Sequence, residues 1–459
     1  MSSERLALAS ELGSKPFDFV DKSTDYEATI SDLGRCLNLT GSTDRLFTLP
    51  NVGTDYIGSR IRCMISGTAT LTINPYSGGS INDLKNLISK HQYAWVELVI
   101  IAANTWMIYS NSNKYSQYNF GSWHLLPDPK SGYSYVKEIR ISKDRVSGSS
   151  NITDYPMVFS SIHADLKTTG NGGYVTDSNG YDIIFTASDG TTQLDHEIEK
   201  YVVTTGEFIA HVRIPTLKYN EYTIIYLHYG NSGVSSSQEN ITGVWDSNFI
   251  GVYHFNNNVL DSTDNDNDGT DQGTSDATGK INSCRSFEDD YIQLDAVVGE
   301  ILTTKGTLTA WITIDTTSDD QQLWQLYTDA DNQIYTKYTN STNTFRMGRI
   351  ADGTDKYVET TVIVEGGTSF RKITLTWDET EDELKVYLDG EQIGSTQTSI
   401  DAFSGSLNAS TNLGATYDES GTWEGDVDEV RISGIARSAD WELTEFLNQD
   451  NPDKFYTLA

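Results

Sequence analysis

The sequence predicts an all-β protein that contains three tandem β domains. Apolar and polar residues alternate with the period of a half-buried strand, most regularly in Arg371–Asp378. Turn-forming residues separate such runs, and Asp389-Gly390 between two of them is a strong hairpin signal. With 459 residues, the chain is also longer than one hydrophobic core usually organises. Several β domains are therefore expected.

Composition narrows the partners that this chain is expected to have. Its formal net charge is −33, from 65 acidic and 32 basic residues. Phosphate binding needs clustered Lys and Arg side chains, so nucleic acid and anionic membrane surfaces are disfavoured as partners. The same excess of carboxylates favours solubility and the binding of cations.

The cysteines give no sign of a disulfide framework. Cys36, Cys63 and Cys284 are odd in number and far apart, unlike the dense cysteines of small secreted domains. At most Cys36 and Cys63 could pair, and three buried thiols are the prediction.

Residues 1–29 are predicted to form an extended or briefly helical arm. The segment has neither the basic n-region nor the continuous apolar h-region of a secretory signal peptide. Elsewhere, apolar runs such as Val96–Ala103 have the length of a strand, which is shorter than a membrane-spanning helix requires. We therefore expect no export signal and no membrane insertion.

Residues 30–128 are predicted to form a small β domain. Ser59–Gly67 alternates as a strand, Asp83–His91 fits a short helix, and Tyr93–Ile101 with Asn104–Tyr109 fits a closing hairpin. In this order the segment resembles a β module that is repeated in bacteriophage head and tail fibres. A generic small β-sandwich is the alternative.

Residues 129–246 are again rich in strand patterns. They include Val136–Ser142, Asn151–Phe159, Gly180–Phe185 and Thr223–Asn231. This ordered series resembles an uncharacterised β domain that commonly precedes LamG-type jelly rolls in bacterial surface proteins and phage structural proteins. The resemblance implies no catalytic role, because that family has no established one.

A cluster of potential metal ligands lies within this segment, namely Asp195, His196, Glu197 and Glu199. On a strand, His196 points to one face and the three carboxylates to the other, so the group is split. The spacing therefore favours a solvated charged face with one packed histidine.

Residues 247–459 carry the most specific pattern in the chain. Leu308–Ile314 is an apolar strand with a central tryptophan, Leu384–Gly390 ends in the hairpin signal, and Trp423–Ile432 leads into Ala436–Trp441. These residues resemble the LamG-type jelly roll of the concanavalin A-like lectin superfamily. The resemblance implies that the C-terminal domain is a jelly-roll sandwich.

One helix is predicted to close this domain, over Ser438–Asn448. Ser438 is a favourable N-cap residue, and Trp441 falls on the inward face. Apart from this helix, Asp83–His91 and the N-terminal arm, we expect almost no helix.

An acidic loop is the candidate for a cofactor. Asp264, Asp266, Asp268 and the glycine after them match the opening of an EF-hand loop, but its twelfth position is Ser275 rather than a glutamate. Calcium is the one candidate cofactor, with Asp264, Asp266, Asp268 and Asp428 as its candidate ligands. An acidic solvated turn is the alternative.

Glu424–Glu429 formally satisfies the E-x-D-x-x-E pattern of glucanases that share the jelly-roll fold. Those enzymes need two carboxyl groups about 5 Å apart, and a β-bulge would have to bring them to one face. However, Val427–Ile432 follows the non-catalytic LamG pattern. Asp428 is then expected to hold a cation or a loop, and Glu429 to pair with an arginine. We predict no catalytic residues and no enzymatic activity.

Together these features favour a structural protein on the surface of a bacteriophage virion, either a head fibre or a capsid decoration protein. The N-terminal part is expected to attach to capsid or other virion proteins, and the jelly roll to project outward towards a host-surface glycan. A homo-oligomer is expected, with a trimer as the specific choice. A tail fibre and a bacterial cell-surface carbohydrate-binding adhesin are the alternatives, ahead of a glycoside hydrolase. The glycan-binding residues stay unknown, because sequence does not separate exposed from buried aromatics.

Overall fold

The computed structural model describes residues 19–23, 25–29, 31, 33, 36–40, 44–51, 60–65, 71–74, 80–81, 86–89, 95–102, 105–111, 124–126, 129–315, 319–361 and 369–458. Within them the chain is nearly all β, as the sequence predicts, and its strands form six sheets. No helix in this part of the chain is long and apolar enough to cross a membrane.

Within the described residues, the first two sheets contain eleven strands, of which β1 to β9 alternate between the sheets in chain order. These strands are β1 Phe19–Lys22, β2 Tyr26–Glu27, β3 Cys36–Leu39, β4 Arg45–Thr48, β5 Arg60–Ile65, β6 Leu71–Asn74, β7 Ser80–Ile81, β8 Asn86–Ser89, β9 Trp95–Ala102, β10 Thr105–Asn111 and β11 His124–Leu126. In one sheet β1, β3 and β5 pair in parallel, and in the other β2, β4 and β6 do so. Each turn of the chain thus adds one strand to each sheet, as in a β-solenoid.

Local expectations for this region have mixed outcomes. The hairpin is confirmed, because β9 and β10 pair antiparallel. The helix at Asp83–His91 is wrong: β8 pairs with β6 and β11, and these cross-strand hydrogen bonds outweigh a weak local helix signal. Part of the predicted arm is strand β1, while residues 1–18 lie outside the described residues. Cys63 and Cys284 are buried, and the side chain of Cys36 lies outside the described part.

The next two sheets form the middle sandwich. Its strands are β12 Tyr135–Ile141, β13 Ile152–Ile162, β14 Ile183–Thr186, β15 His196–Val202, β16 Glu207–Leu217 and β17 Thr223–Tyr229, and the short helix α1 Ile241–Val244 follows them. One sheet contains β14, β17 and β12, and the other contains β13, β16 and β15. Their inward faces meet in an apolar core that includes Phe159, Phe185 and Phe208.

The last two sheets form the C-terminal sandwich. Its strands are β18 Phe249–Tyr253, β19 Thr270–Gln272, β20 Ser275–Thr278, β21 Ser283–Glu288, β22 Tyr291–Gln293, β23 Lys305–Ile312, β24 Gln321–Asp329, β25 Asn332–Thr339, β26 Thr344–Ala351, β27 Thr354–Thr360, β28 Arg371–Asp378, β29 Glu383–Leu388, β30 Glu391–Gln397, β31 Asn412–Leu413 and β32 Glu424–Ser433. The inner sheet has the order β20-β21-β32-β23-β28-β29-β30, with β18 also paired to β32. The outer sheet has the order β19-β22-β31-β24-β25-β26-β27.

The strongest strand and turn signals are confirmed here. Arg371–Asp378 is β28, and its apolar face, including Trp377, lies in the core between the two sheets. Asp389 and Gly390 both have positive φ angles, 52° and 77°, as the tight turn between β29 and β30 requires.

After the sandwich, the chain returns to the middle of the molecule. Helices α2 Ala439–Asp450 and α3 Pro452–Phe455 lead into the last strand, β33 Tyr456–Leu458. The hydroxyl of Ser438 accepts a hydrogen bond from the Trp441 backbone N–H at 3.2 Å, and Trp441 is buried, so the predicted helix is confirmed. Strand β33 pairs with β12, and Phe455 joins the core of the middle sandwich. The C-terminal segment therefore completes the middle sandwich.

Helix α2 and the middle sandwich cover the outward face of the inner sheet. The Trp311 ring on β23 stacks on Phe446 of α2 with 5.6 Å between ring centroids, and its Nε1–H donates to Gln449 at 2.7 Å. The Asn448 amide accepts from the Val158 backbone N–H at 2.7 Å and donates to its carbonyl at 2.9 Å. The two sandwiches thus meet along one continuous buried seam.

Candidate functional site

A β-bulge in β32 places two acidic residues on the seam. Pairing between β23 and β32 shifts between Thr309 and Trp311, and Glu429 has a φ of 50°. Because Val427 and Val430 both lie in the core, Asp428 and Glu429 between them both face outward. The extra residue therefore sends a second carboxylate towards the middle sandwich.

Glu429 is held by two cationic partners in this seam. Its carboxylate accepts from Arg431 Nη2 and from His254 Nδ1, each at 2.5 Å. Burial alone would raise the pKa of Glu429, but His254 and then Arg431 lower it well below its ordinary value. Arg431 also donates to Glu445 on α2 at 2.7 Å. The predicted pairing of Glu429 with an arginine is confirmed.

Four side chains from the two sandwiches converge on one point of the seam, namely Glu199, His211, His254 and Glu429. One potential ligand atom from each lies within 4.8 Å of the others. His211 Nε2 is 3.1 Å from Glu199 Oε2, and the His211 and His254 rings stack with 4.1 Å between centroids. We call this group the seam cluster. Among the described residues, it is the group of His, Cys, Asp or Glu side chains whose arrangement could hold a metal ion.

The electrostatics of the seam cluster are dominated by burial. Burial, and then the charge of Glu429, raise the pKa of Glu199 well above its ordinary value. Burial and the nearby His254 lower the pKa of His211 well below its ordinary value. Burial alone would lower the pKa of His254, but Glu429 and then Glu197 raise it well above the ordinary value. Burial and the charge of Glu429 therefore oppose the ionisation of Glu199, whereas His254 and Glu429 favour each other's charged forms.

The solvated charged face predicted for Asp195, Glu197 and Glu199 is wrong in part. Glu197 and Glu199 are only 9% and 8% exposed, because the C-terminal sandwich covers them. Glu197 accepts from Trp245 Nε1 at 3.2 Å and from the Ser262 hydroxyl at 2.7 Å. The packed histidine is confirmed, since His196 is buried against Phe185.

A polar cleft connects the seam cluster with the surface. Its volume is about 240 Å³, and its lining includes Glu197, Glu199, His254, Asn256 and Ser262. A small hydrated solute or ion has room in this cleft.

The candidate calcium ligands do not meet in this structure. Asp264, Asp266 and Asp268 are exposed, whereas Asp428 is buried and accepts from the backbone N–H of Ile281 at 2.9 Å. Asp428 thus holds a loop, which is one of its two predicted roles. Calcium binding by the three exposed aspartates stays a prediction.

Asp261, which the sequence reading passed over, organises that acidic turn. Its carboxylate accepts from the backbone N–H groups of Val252 and Thr263, each at 2.9 Å, and from that of Asn267 at 3.0 Å. Asp261 therefore fixes the turn with hydrogen bonds from three backbone positions. The sequence does carry a signal for this role, because Asp261-Ser262-Thr263 is typical of an Asx turn.

The glucanase-like pattern Glu424–Glu429 contains the β-bulge that such enzymes need, but its last carboxylate is not accessible to a substrate. Glu424 and Glu429 both face away from the core of the C-terminal sandwich. The Glu429 side chain is 0% exposed and bonded to Arg431 and His254, so a sugar ring has no access to it. Among the described neighbours of Glu424 are the carboxylates of Asp289 and Asp319, and burial together with these charges raises its pKa.

The outward face of the outer sheet carries a polar and aromatic surface. Tyr335 donates from its hydroxyl to Asp355 at 2.8 Å, and the Arg346 guanidinium lies 3.8 Å from the centre of the Tyr357 ring. Gly348 lies between the two tyrosines, and a Cβ there would come within 2.6 Å of Tyr357 Cβ. Tyr335 is only 3% exposed, but Arg346 and Tyr357 on this face are partly exposed, unlike the covered inner sheet. We call it the outer-sheet face.

Family comparisons agree with this architecture. Residues 286–441 match the family described as the concanavalin A-like lectin/glucanases superfamily. The C-terminal domain is a concanavalin A-like jelly roll. Residues 179–267, which span much of the middle sandwich and the first strand of the jelly roll, match a domain of unknown function, DUF2341. No curated protein sequence matches the chain.

Solved structures that are similar to this chain each cover less than half of it. Domain 4 of AbnA, an extracellular arabinanase from Geobacillus stearothermophilus solved with arabinotriose, is 19% identical, with 43% of this chain and 98% of that domain covered and a TM-score of 0.36. The receptor binding domain of botulinum neurotoxin C/D mosaic serotype is 11% identical, and the match covers 43% of this chain and 51% of that domain with a TM-score of 0.36. The receptor binding domain of botulinum neurotoxin type G is 13% identical, and the match covers 44% of this chain and 51% of that domain with a TM-score of 0.35. The chain spans about half the length of these two neurotoxin domains.

Proposed function

We propose that this chain is a structural protein on the surface of a bacteriophage particle, whose jelly roll faces outward and binds a glycan through the outer-sheet face. The N-terminal solenoid-like region attaches the chain to capsid or other virion proteins. Copies associate there into a homo-oligomer, for which a trimer is our choice. A tail fibre or a bacterial surface adhesin is the alternative location for the same binding function.

The observation that carries the glycan part is the asymmetry of the jelly roll. Its inner sheet is covered by α2 and the middle sandwich, while Gln333, Arg346 and Tyr357 on its outer-sheet face are partly exposed. Tyrosine rings offer flat apolar surfaces to the faces of sugar rings, and Arg and Gln offer hydrogen bonds to hydroxyl groups. The other half of the proposal rests on module order, with the fibre-like region first and the jelly roll last.

Binding to a panel of neutral and acidic oligosaccharides tests the glycan part. We expect Tyr357→Ala to weaken binding of the best oligosaccharide by about 10-fold, which corresponds to about 1.4 kcal/mol. The matched control is Tyr222→Ala in the middle sandwich, where Arg140 lies 4.4 Å from the ring centre in a similar stack. Calorimetry should show that this control binds like the unchanged protein. Equal losses in both variants, or none in either, would remove the outer-sheet face from the proposal.

Attachment to particles tests the location. A chain that lacks residues 1–128 should keep both sandwiches folded, because their sheets and cores are formed by residues after that point. We expect this truncated chain to fail to bind purified particles, whereas the full chain binds them. Detection of the full chain by mass spectrometry of particles supports the proposal. A truncated chain that still decorates particles, or a full chain found only free of them, contradicts it.

The structure offers no support for a glycoside hydrolase among the described residues, since Glu429 is enclosed by its ion-pair partners. We therefore propose a binding and structural role without catalysis.

A further inference from the structure

We propose that the seam cluster binds a divalent cation of the zinc class and thereby joins the middle sandwich to the jelly roll. Its four ligands are Glu199 and His211 from the middle sandwich and His254 and Glu429 from the jelly roll. This site lies away from the outer-sheet face and does not depend on glycan binding.

Geometry is the first argument for a metal. The four residues are buried, with exposures of 8%, 0%, 6% and 1% in chain order. Their potential ligand atoms already lie within 4.8 Å of one another, so small side-chain shifts bring them to the separations of a tetrahedral site.

Polar atoms without partners are the second argument. Glu199 Oε1 and His211 Nδ1 are buried and make no hydrogen bond. His254 Nε2 has one long contact, to Glu197 Oε2 at 3.4 Å. A buried polar atom left without a partner costs about 1–3 kcal/mol. Two such atoms within one cluster point to a ligand that accepts electron pairs from nitrogen and oxygen.

Charge is the third argument. Carboxyl groups of Glu197, Glu199 and Glu429 lie 2.5–3.4 Å from nitrogens of the His211 and His254 rings. Buried carboxylates are stabilised by a metal cation placed among them. A divalent ion at this point would therefore offset their charge.

The ligand types select the class of ion. Two imidazole nitrogens with two carboxylate oxygens suit zinc and neighbouring transition metals, whereas calcium and magnesium prefer oxygen ligands alone. The polar cleft of about 240 Å³ beside Glu199 and His254 provides access for a hydrated ion.

Zinc binding by the full chain tests the inference. We expect chelator-treated protein to bind one equivalent of zinc by calorimetry and calcium not at this site. His211→Ala should weaken zinc binding by more than about 100-fold, since even changes outside the ligand shell cost 10–100-fold. The matched control is His196→Ala, which removes another buried histidine of the same sheet. It should change zinc affinity by no more than about 2-fold, which is far less than the loss expected when a ligand is removed.

A second measurement covers the case in which the His211 variant does not fold. Cobalt added to the unchanged protein should give the visible absorption of a four-coordinate nitrogen and oxygen site, and zinc should displace it. Zinc should also raise the melting temperature, because it binds the folded seam only. Failure of the unchanged protein to retain zinc or cobalt in a one-to-one ratio overturns the inference, as does equal binding by the His211 and His196 variants.

Discussion

Replacing Arg431 by methionine should destabilise the protein by about 3–5 kcal/mol, because the change leaves buried carboxylates without their cation. Arg431 is 1% exposed and bonds both Glu429 and Glu445. Glu445 would keep only Lys372, whose ammonium lies 2.8 Å away. Urea unfolding followed by tryptophan fluorescence measures the loss as a lower transition midpoint.

A matched change at the surface separates burial from simple charge removal. Arg371 pairs with Asp389 at 2.7 Å, but both side chains are partly exposed. Arg371→Met should therefore cost no more than about 1 kcal/mol. If the two variants lose similar stability, the buried network contributes no more than a surface pair. Replacing Glu429 and Glu445 by glutamine in the Arg431 variant should recover part of the loss, since fewer charges then stay buried alone.

Local patterns predicted the jelly roll well because its strands alternate and its turns have specific residues. Arg371–Asp378 and the Asp389-Gly390 turn need no distant partner to be recognised. The same reasoning failed at Asp83–His91, where pairing of β8 with β6 and β11 decides the conformation. It also missed that the N-terminal strands pair in parallel, because pairing direction depends on how the chain winds between two sheets.

The seam cluster was beyond local reasoning for a different reason. His254 and Glu429 bond across 175 residues, and Glu199 becomes buried only when the two sandwiches meet. A signal was nevertheless present. Asp428 and Glu429 are adjacent acids in a strand that otherwise alternates, which indicates a bulge, and His211 interrupts the apolar run Phe208–Val212. The alternation of side chains along a strand predicts which face of the sheet Glu199 lies on. It does not predict whether another domain covers that face.

Ending the chain at Asn451 should unfold the middle sandwich while the jelly roll stays folded. The predicted domain boundary at 246 separates residues 129–246 from the C-terminal segment that completes them. Strand β33 is the edge partner of β12, and Phe455 and Tyr456 are 0% and 4% exposed in the core of the middle sandwich. Removing a buried aromatic side chain costs about 3–5 kcal/mol, so losing two aromatics and an edge strand approaches the whole stability of a domain, about 5–15 kcal/mol.

Hydrogen exchange measured by mass spectrometry distinguishes the two sandwiches in this experiment. In a chain of residues 129–451, peptides from β12, β13 and β16 should exchange rapidly, whereas those from β25, β26 and β28 should stay protected. A chain of residues 129–459 is the control and should protect both sets. A fragment of residues 129–246 should likewise fail to fold alone, since Trp441, Phe455 and Tyr456 of its core are missing. Full protection of β12 in the chain that ends at Asn451 would mean that the C-terminal segment only docks onto a sandwich that is already stable.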